Sequence, residues 1–189
     1  MKSALACVFL ALAALPAAAT DMSAQLTAMI DKDLRPIAAD PALVAAVLAA
    51  NAAHAPLSAA QIDSLDKAWR AEIDSANRPT IDPILADPVS QALHGRVSES
   101  LGRIREIFVM DNRGLNVAQS GVTSDYWQGD EDKFAQTYPL GAAAVHLSAV
   151  EFDDSTQTYQ IQASFTVIDP ASGAAIGAMT VGLNAEMIQ

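Results

Sequence analysis

The chain has 189 residues, 51% of them hydrophobic, and carries a formal net charge of −11, with an isoelectric point near 4.4. Such an acidic chain is a poor partner for nucleic acid and for anionic membrane surfaces, because both bind basic patches. The single cysteine, Cys7, lies near the amino terminus. The rest of the chain therefore offers no disulfide, no thiol nucleophile and no thiolate metal ligand, and its length suits one domain.

The first 19 residues have the composition of a secretory signal peptide. Lys2 precedes an apolar run from Ala4 to Leu15, and small residues follow up to Ala19. The apolar run is shorter than the roughly 20 residues that a membrane span needs. The sequence therefore predicts a signal peptide at 1–19, cleavage after Ala19, and a periplasmic or secreted protein.

Residues 20–104 are predicted to form an N-terminal helical region, since this stretch is rich in alanine and leucine. Ser58 and Gln61 match a capping box, which is a common start of a helix. A further helix is predicted from Pro88 to Leu101 by the spacing of its apolar residues. The helix that follows the capping box carries four apolar side chains on one face: Ile62, Leu65, Trp69 and Ile73.

Residues 105–189 are predicted to form strands joined by short turns. The segments at 111–114 and 169–173 each combine aspartate with glycine, as turns do, and each is flanked by apolar strands. Helices followed by hairpin-linked strands give an α+β fold, with N-terminal helices before a five-stranded antiparallel sheet. The predicted strands span 106–110, 115–120, 142–152, 159–168 and 175–183.

One excursion, residues 123–134 with the sequence TSDYWQGDEDKF, interrupts the run of hairpins. Its acids at 130–132 do not match the ligand spacing of an EF-hand, and they suit the first turn of a helix running towards Tyr138. Tyr126 and Trp127 are large side chains for a loop, and such residues mark either a binding surface or a buried lid. Alternatively, both rings fill the open face of the sheet as core residues.

No motif predicts catalysis, a metal site or a cofactor. His54, His94 and His146 lack the short spacing of zinc ligands. The chain contains no G-x-S-x-G nucleophile elbow and no phosphate-binding glycine motif. Its many carboxylates do not by themselves indicate a catalytic pair. The sequence therefore predicts a protein that is not an enzyme and that needs no cofactor.

Three segments, in this order along the chain, resemble the extracytoplasmic PAS-like sensor domains called Cache or PDC domains. They are REIFVMDNRGLNVAQS at 105–120, TSDYWQGDEDKF at 123–134 and FTVIDPASGAAIGAMTVGLN at 165–184. The resemblance covers nearly the whole chain after the signal peptide, and it implies a single Cache domain. It also implies that one face of the sheet and the excursion together enclose a small-molecule pocket.

The same resemblance implies candidate ligand-binding residues. Three side chains of the excursion would cover the pocket and three hydroxyls would lie on strands beneath it: Asp125, Tyr126 and Trp127, with Ser120, Ser164 and Thr166. Gly182 departs from the family pattern, because amine-binding members carry an aspartate near the end of the last strand. The family's cover arginine has no clear counterpart, and Gln128 and Lys133 are the nearest polar and basic residues.

These observations predict an exported sensor-type module that binds a small organic ligand and relays this binding through a protein partner. The expected partners are a membrane receptor or another signalling protein, and the N-terminal helices are a candidate surface for a homodimer. Nucleic acid is not an expected partner. Two alternatives remain open at this point: a structural or interaction protein whose pocket has collapsed, and a periplasmic hydrolase.

Overall fold

The structure, a computed structural model, describes residues 16–153 and 158–188. Most of the predicted signal peptide lies outside these residues, so its cleavage after Ala19 stays a prediction. A five-residue π-helix, Ile30–Leu34, joins the first two α-helices. The α-helices are α1 (Pro16–Met29), α2 (Arg35–Ala38), α3 (Pro41–His54), α4 (Ala59–Glu72), α5 (Ile81–Ala86), α6 (Pro88–Glu99) and α7 (Asp132–Ala135).

Local capping explains where several of these helices begin. The capping box before α4 is confirmed: the Oγ of Ser58 accepts from the Gln61 backbone N–H at 3.3 Å, and Gln61 Oε1 accepts from the Ser58 backbone N–H at 2.9 Å. Asp40 and Asp87 cap α3 and α6 with their carboxylates, without a reciprocal bond, and each precedes a proline at the first helical position. Trp69 on α4 is fully buried.

The strands form one antiparallel sheet in which β6 and β5 are central. The strand order is β2-β1-β6-β5-β3, and β4 also pairs with β5. Helices first and an antiparallel sheet afterwards confirm the predicted α+β fold class. The strands are β1 (Ile104–Met110), β2 (Asn116–Gln119), β3 (Val145–Leu147), β4 (Glu151–Asp153), β5 (Thr158–Ile168) and β6 (Ala175–Asn184).

The prediction of one continuous strand over 142–152 is wrong, because this stretch divides into β3 and β4. Ser148 lies between the two and causes the division. Its backbone N–H still donates to the carbonyl of Gln162, but its own side-chain Oγ, at 2.9 Å, accepts from the Gln162 backbone N–H. A side chain has therefore replaced the backbone acceptor, which interrupts the ladder after β3.

The two faces of the sheet have different coverings. The helix-covered face packs against α1, the π-helix, α3 and α6, and it holds the main hydrophobic core. The opposite face, here called the cleft face, carries polar residues beside a small apolar cluster and is covered by the excursion after β2. The helix-covered face presents Ile107, Val109, Ile161, Ala163, Phe165, Val167, Met179, Val181 and Leu183.

Two further predictions need correction. The helix predicted to reach Leu101 ends at Glu99, and Leu101 adopts a positive φ of 53° with 86% of its side chain exposed. The helix expected to run towards Tyr138 is the single turn α7, followed by a 3₁₀ turn at Tyr138–Leu140. Buried Thr137 closes α7 with its own side chain, which donates to the Lys133 carbonyl.

No single helix among the described residues is long and apolar enough to cross a membrane. The pair Met22–Ala38 and Pro41–His54 meets that criterion only in combination, and it is bent by 72° at its break.

Candidate functional site

A cleft separates the cleft face from residues 120–134, here called the cover segment. It consists of two adjoining depressions of about 480 and 240 Å³, which share four lining residues. These volumes suit a small organic molecule. The shared residues are Glu106, Phe108, Val122 and Thr123, and the remaining lining includes Ile73, His94, Arg105, Ser120, Ser124, Gln128, Lys133, Gln160 and Gln162.

Glu106 supplies a carboxylate on the cleft face, and Gly182 provides the space for it. The two residues pair across β1 and β6. A Cβ at position 182 would lie only 2.7 Å from the Glu106 Cγ and 2.8 Å from the Gln160 Oε1. The Glu106 side chain therefore lies across the backbone of Gly182, and its Oε1 accepts from Gln162 Nε2 at 3.2 Å. A glycine inside a strand is a signal of such close approach.

Lys133 supplies an ammonium group on the opposite wall of the cleft. Its Nζ lies 5.4 Å from the centroid of the Phe108 ring, 2.9 Å from Glu131 Oε2 and 3.2 Å from Gln128 Oε1. Only 14% of the Lys133 side chain is exposed. The lysine is therefore held over an aromatic ring by a cation–π contact and an ion pair. The first turn of α7 brings it there, because Phe134 next to it packs on the same cluster as Phe108.

The predicted hydroxyl residues all lie on or beside the sheet. Ser120 lines the cleft, and its Oγ accepts from the Ile107 backbone N–H at 2.8 Å. Ser164 is fully buried on the cleft face, where its hydroxyl pairs with that of Thr180 at 3.0 Å. Thr166 is also buried and donates to the Gly141 carbonyl at 2.8 Å. Of these three residues, Ser120 alone lines the cleft that the described residues form.

The side chains of Asp125 and Tyr126 turn away from the cleft towards α4. Asp125 forms an ion pair of 2.7 Å with Arg70, and this carboxylate, with Asp66, raises the pKa of Arg70. The Tyr126 ring stacks on Trp69 with centroids 5.5 Å apart. Burial, with a smaller contribution from Asp111, raises the pKa of Tyr126 to about 12. Tyr126 thus belongs to the cluster between α4 and the cover segment rather than to the described cleft lining.

Trp127 directly follows Tyr126, and its side chain holds two loops close together. Its Nε1 donates to the Arg113 carbonyl at 2.8 Å, and its backbone bridges to Leu115. The ring covers Gly129, where a Cβ would meet the indole at 2.4 Å. Gly129 in turn lies against Gly114, which has a positive φ of 81°. Trp127 therefore holds the turn after β1 against the cover segment.

Helix α4 anchors the cover segment through two further side chains. Asp66 Oδ1 accepts from the backbone N–H groups of Tyr126 and Trp127 at 2.9 and 3.0 Å. Trp69 Nε1 donates to the Thr123 carbonyl at 2.8 Å. With the Asp125–Arg70 ion pair, the cover segment is thereby attached to α4 at four residues, of which Thr123 itself lines the cleft. Sequence reasoning did not identify these contacts, because the partners are 54 to 61 positions apart.

A buried polar network lies beneath the cover segment at the cleft. Asn116 Nδ2 donates to the Thr123 hydroxyl at 2.8 Å and to the Asp125 carbonyl at 2.9 Å. Within the part of the chain that the structure describes, two atoms of this network lack a partner, namely Asn116 Oδ1 and Gln119 Nε2. Buried polar atoms of this kind are commonly satisfied by an ordered water.

No three His, Cys, Asp or Glu residues of 16–153 and 158–188 are grouped as a metal site.

No protein-family model and no curated protein matches the sequence. Solved structures with a similar fold include the sensor domain of the V. cholerae histidine kinase DctB, at 17% identity and a TM-score of 0.43, which aligns over 89% of this chain and 54% of that one. Others are the ligand-binding domains of the chemoreceptors Tlp3 of Campylobacter jejuni (14%, TM-score 0.41, 89% and 62%) and CtaA of Pseudomonas fluorescens (13%, TM-score 0.40, 68% and 52%).

By their names, these solved structures are a histidine kinase sensor domain and two chemoreceptor ligand-binding domains. The Tlp3 domain was solved with 4-methylisoleucine and the CtaA domain with L-serine. The present chain spans roughly half to two thirds of the length of these solved chains. At such identities and TM-scores, neither their ligands nor their activities transfer to this chain.

Proposed function

We propose that this chain is an exported, non-enzymatic sensor module of the single-Cache type that binds a small organic ligand in the cleft. One observation supports this proposal most, namely that the two walls of the cleft carry opposite charges beside an aromatic ring. Glu106 contributes a carboxylate from the sheet, Lys133 an ammonium group from the cover segment, and Phe108 the ring. The amides of Gln128 and Gln162 add donors and acceptors, so the cleft suits a small polar or charged ligand.

The same geometry supplies a route from ligand to partner. A ligand in the cleft contacts Thr123 and Gln128 on the cover segment, whose backbone is bonded to α4 through Trp69 and Asp66. A ligand that prefers one position of the cover segment shifts the population of that position, and α4 follows. A signalling protein or membrane receptor in contact with the helical half would sense this shift. The helical half is also our proposed surface for a homodimer.

Calorimetry and thermal unfolding with a panel of amino acids, organic acids, amines and sugars test the binding proposal. A true ligand stabilises the protein by about 2.7 kcal/mol when its free concentration is a hundredfold above its Kd. Glu106→Gln and Lys133→Met each weaken the binding of a charged ligand at least tenfold, in keeping with the loss of one charge-assisted hydrogen bond. Lys67→Met is the matched control, because the Lys67 side chain is 72% exposed on α4 and its ammonium pairs with Asp63.

A second candidate function is an interaction protein whose cleft is filled by its own side chains. The contacts of Lys133 with Glu131, Gln128 and Phe108 favour it, because they already satisfy the charge of the lysine. Under this alternative no compound stabilises the native protein, and Lys133→Met lowers the melting temperature as the loss of an internal contact would. Under the binding proposal Lys133→Met changes affinity more than it changes stability.

A further inference from the structure

A second pocket lies at the far side of the sheet from the cleft, between the N-terminal helices and the end of β6. It is bounded by α1, the π-helix, the C-terminal turn of α6 and the last residues of the chain, and its volume is about 480 Å³. That volume falls within the range of about 300–1,000 Å³ of small-molecule sites. We call it the terminal pocket, and its central residues are Leu26, Leu34, Ile37, Arg96, Arg103 and Leu183.

The floor of the terminal pocket is apolar. Leu26, Leu34 and Leu183 are each at least 98% buried and belong to the main core of the sheet. The pocket continues past Ile37 and Arg96 into a neighbouring depression of about 450 Å³, which is bounded by α2, α3 and α6. The two spaces adjoin at Asp33, Ile37 and Arg96, so apolar surface extends from the leucine floor past Ile37. An apolar floor that extends in this direction suits a hydrocarbon tail.

The rim of the terminal pocket carries Arg103, a cation without an ion-pair partner among residues 16–153 and 158–188. Within the described residues, no side chain forms an ion pair or hydrogen bond with the Arg103 guanidinium. Arg96 is only loosely compensated, since its nearest acid, Glu99, is 3.9 Å away. Glu99 is highly exposed and Asp33 is also exposed at the rim, so both carboxylates remain solvated. Arg103 therefore offers its fork of donors to an anion, for which a guanidinium is well suited.

Two backbone irregularities shape the walls of this pocket. The wall opposite α6 is the π-helix Ile30–Leu34, and π-helical turns occur frequently at functional sites. The turn after α6 contains Leu101 with a positive φ of 53°, an uncommon conformation for a leucine. That turn directs the chain from α6 to Arg103 and β1. Both departures from regular geometry thus lie where the pocket is formed, as strain at functional sites often does.

We propose that the terminal pocket is a second binding site, for a small monoanion with a linear apolar tail, such as a medium-chain carboxylate. The head group lies at Arg103, with Arg96 beside it, and the tail lies over the leucine floor towards Ile37. This site is separate from the cleft and does not depend on the function proposed for it. It gives the acidic protein one local point at which an amphiphilic anion binds.

Isothermal calorimetry with sodium decanoate, below its micelle concentration, tests the proposal on the full chain. Decanoate binds with one-to-one stoichiometry, whereas decyltrimethylammonium, with the same tail and the opposite charge, binds at least tenfold more weakly. Shortening the chain to octanoate weakens binding by roughly 15-fold, because each buried methylene contributes about a fourfold gain in affinity. Arg103→Gln weakens decanoate binding by about 10- to 100-fold, as expected for a lost charge-assisted hydrogen bond.

Two matched variants separate the site from general electrostatics and from the cleft. Arg78→Gln removes the same charge from a distant arginine that pairs with Asp82, and it leaves decanoate binding unchanged. Glu106→Gln alters the cleft and also leaves it unchanged. The proposal is overturned if decanoate does not bind, if the ammonium amphiphile binds equally well, or if Arg78→Gln weakens binding as much as Arg103→Gln. Because Arg103 is exposed, its replacement does not endanger folding.

Discussion

Replacement of Asp66 by alanine is expected to detach the cover segment from α4. The Asp66 carboxylate is 7% exposed and serves two purposes at once. Its Oδ1 accepts from the backbone N–H groups of Tyr126 and Trp127, and its Oδ2 accepts from Arg70 Nε at 2.9 Å. Alanine removes every one of these acceptors and leaves two backbone donors of the cover segment without a partner.

The size of the effect follows from those two donors. A buried backbone N–H that loses its partner costs about 1–3 kcal/mol. Two of them cost about 2–5 kcal/mol once some access of water is allowed, while the exposed Arg70 contributes little because surface ion pairs are worth under about 1 kcal/mol. Asp66→Asn keeps an acceptor oxygen at the Oδ1 position for both N–H groups and loses only the acceptor of exposed Arg70, so it should cost no more than about 1 kcal/mol. Asp63→Ala, on the same helix and paired with exposed Lys67, should cost under about 1 kcal/mol.

Urea unfolding followed by tryptophan fluorescence measures these differences in the free energy of unfolding. Hydrogen exchange then shows where in the protein the stability is lost. Asp66→Ala should speed exchange at the amides of Tyr126 and Trp127 far more than in β5. If Asp66→Ala is no more destabilising than Asp63→Ala, or if the two amides keep their protection, the anchoring role assigned to Asp66 is incorrect.

Three further outcomes are expected. Tyr126 has a folded-state pKa of about 12 against 10 in the unfolded chain, so the stability it contributes is complete below pH 10 and is lost as the pH rises through 12. The full loss is roughly 3 kcal/mol, of which about 1.4 kcal/mol appears between pH 8 and pH 11, and Tyr126→Phe should abolish this difference in urea unfolding at these two pH values. Gly114→Ala should cost at least about 2 kcal/mol in urea unfolding, because its Cβ would lie 2.5 Å from the Gly129 Cα at a positive φ. Leu101→Gly should raise the free energy of unfolding in the same assay by about 0.5–1 kcal/mol. It removes backbone strain of about 1–2 kcal/mol at an exposed left-handed position, and the greater conformational entropy of glycine in the unfolded chain offsets part of this gain. A free energy of unfolding that is lower in Leu101→Gly than in the unmodified protein would contradict the last of these.

Features set by neighbouring residues could be predicted from the sequence. The capping box at Ser58 depends on a residue three positions away, and the turn at 111–114 depends on its own aspartate and glycine. Asp111 Oδ1 accepts from the backbone N–H groups of Arg113 and Leu115, which fixes that turn locally. The position of Ile161, Ala163 and Phe165 on one face of β5 likewise follows from the period of two of a strand. The order of such local elements was sufficient to predict the fold class.

Features set by distant residues could not be predicted. The division of the stretch 142–152 depends on whether Ser148 or a backbone carbonyl faces Gln162, which only the register of β3 on β5 decides. In the sequence, Glu106 is a single acid in an apolar strand. Its side chain has space on the cleft face because Gly182, its partner across the sheet, has no Cβ. A register error of one residue would place this carboxylate on the opposite face of the sheet.

The direction of Tyr126 and Trp127 illustrates the same limit and also changes the interpretation of the cover segment. The Tyr126 ring and the two backbone N–H groups are held from the helical side by Trp69 and Asp66, whereas the Trp127 ring is held by the Arg113 carbonyl in the turn after β1. The two residues therefore connect the cover segment to the rest of the protein. The cleft itself is lined by the smaller and polar residues of that segment. A ligand that moves these residues therefore acts on a segment whose other side is already bonded to α4. The aromatic pair is thus placed where it can transmit a displacement of the cover segment to the helices, whether or not either ring contacts the ligand.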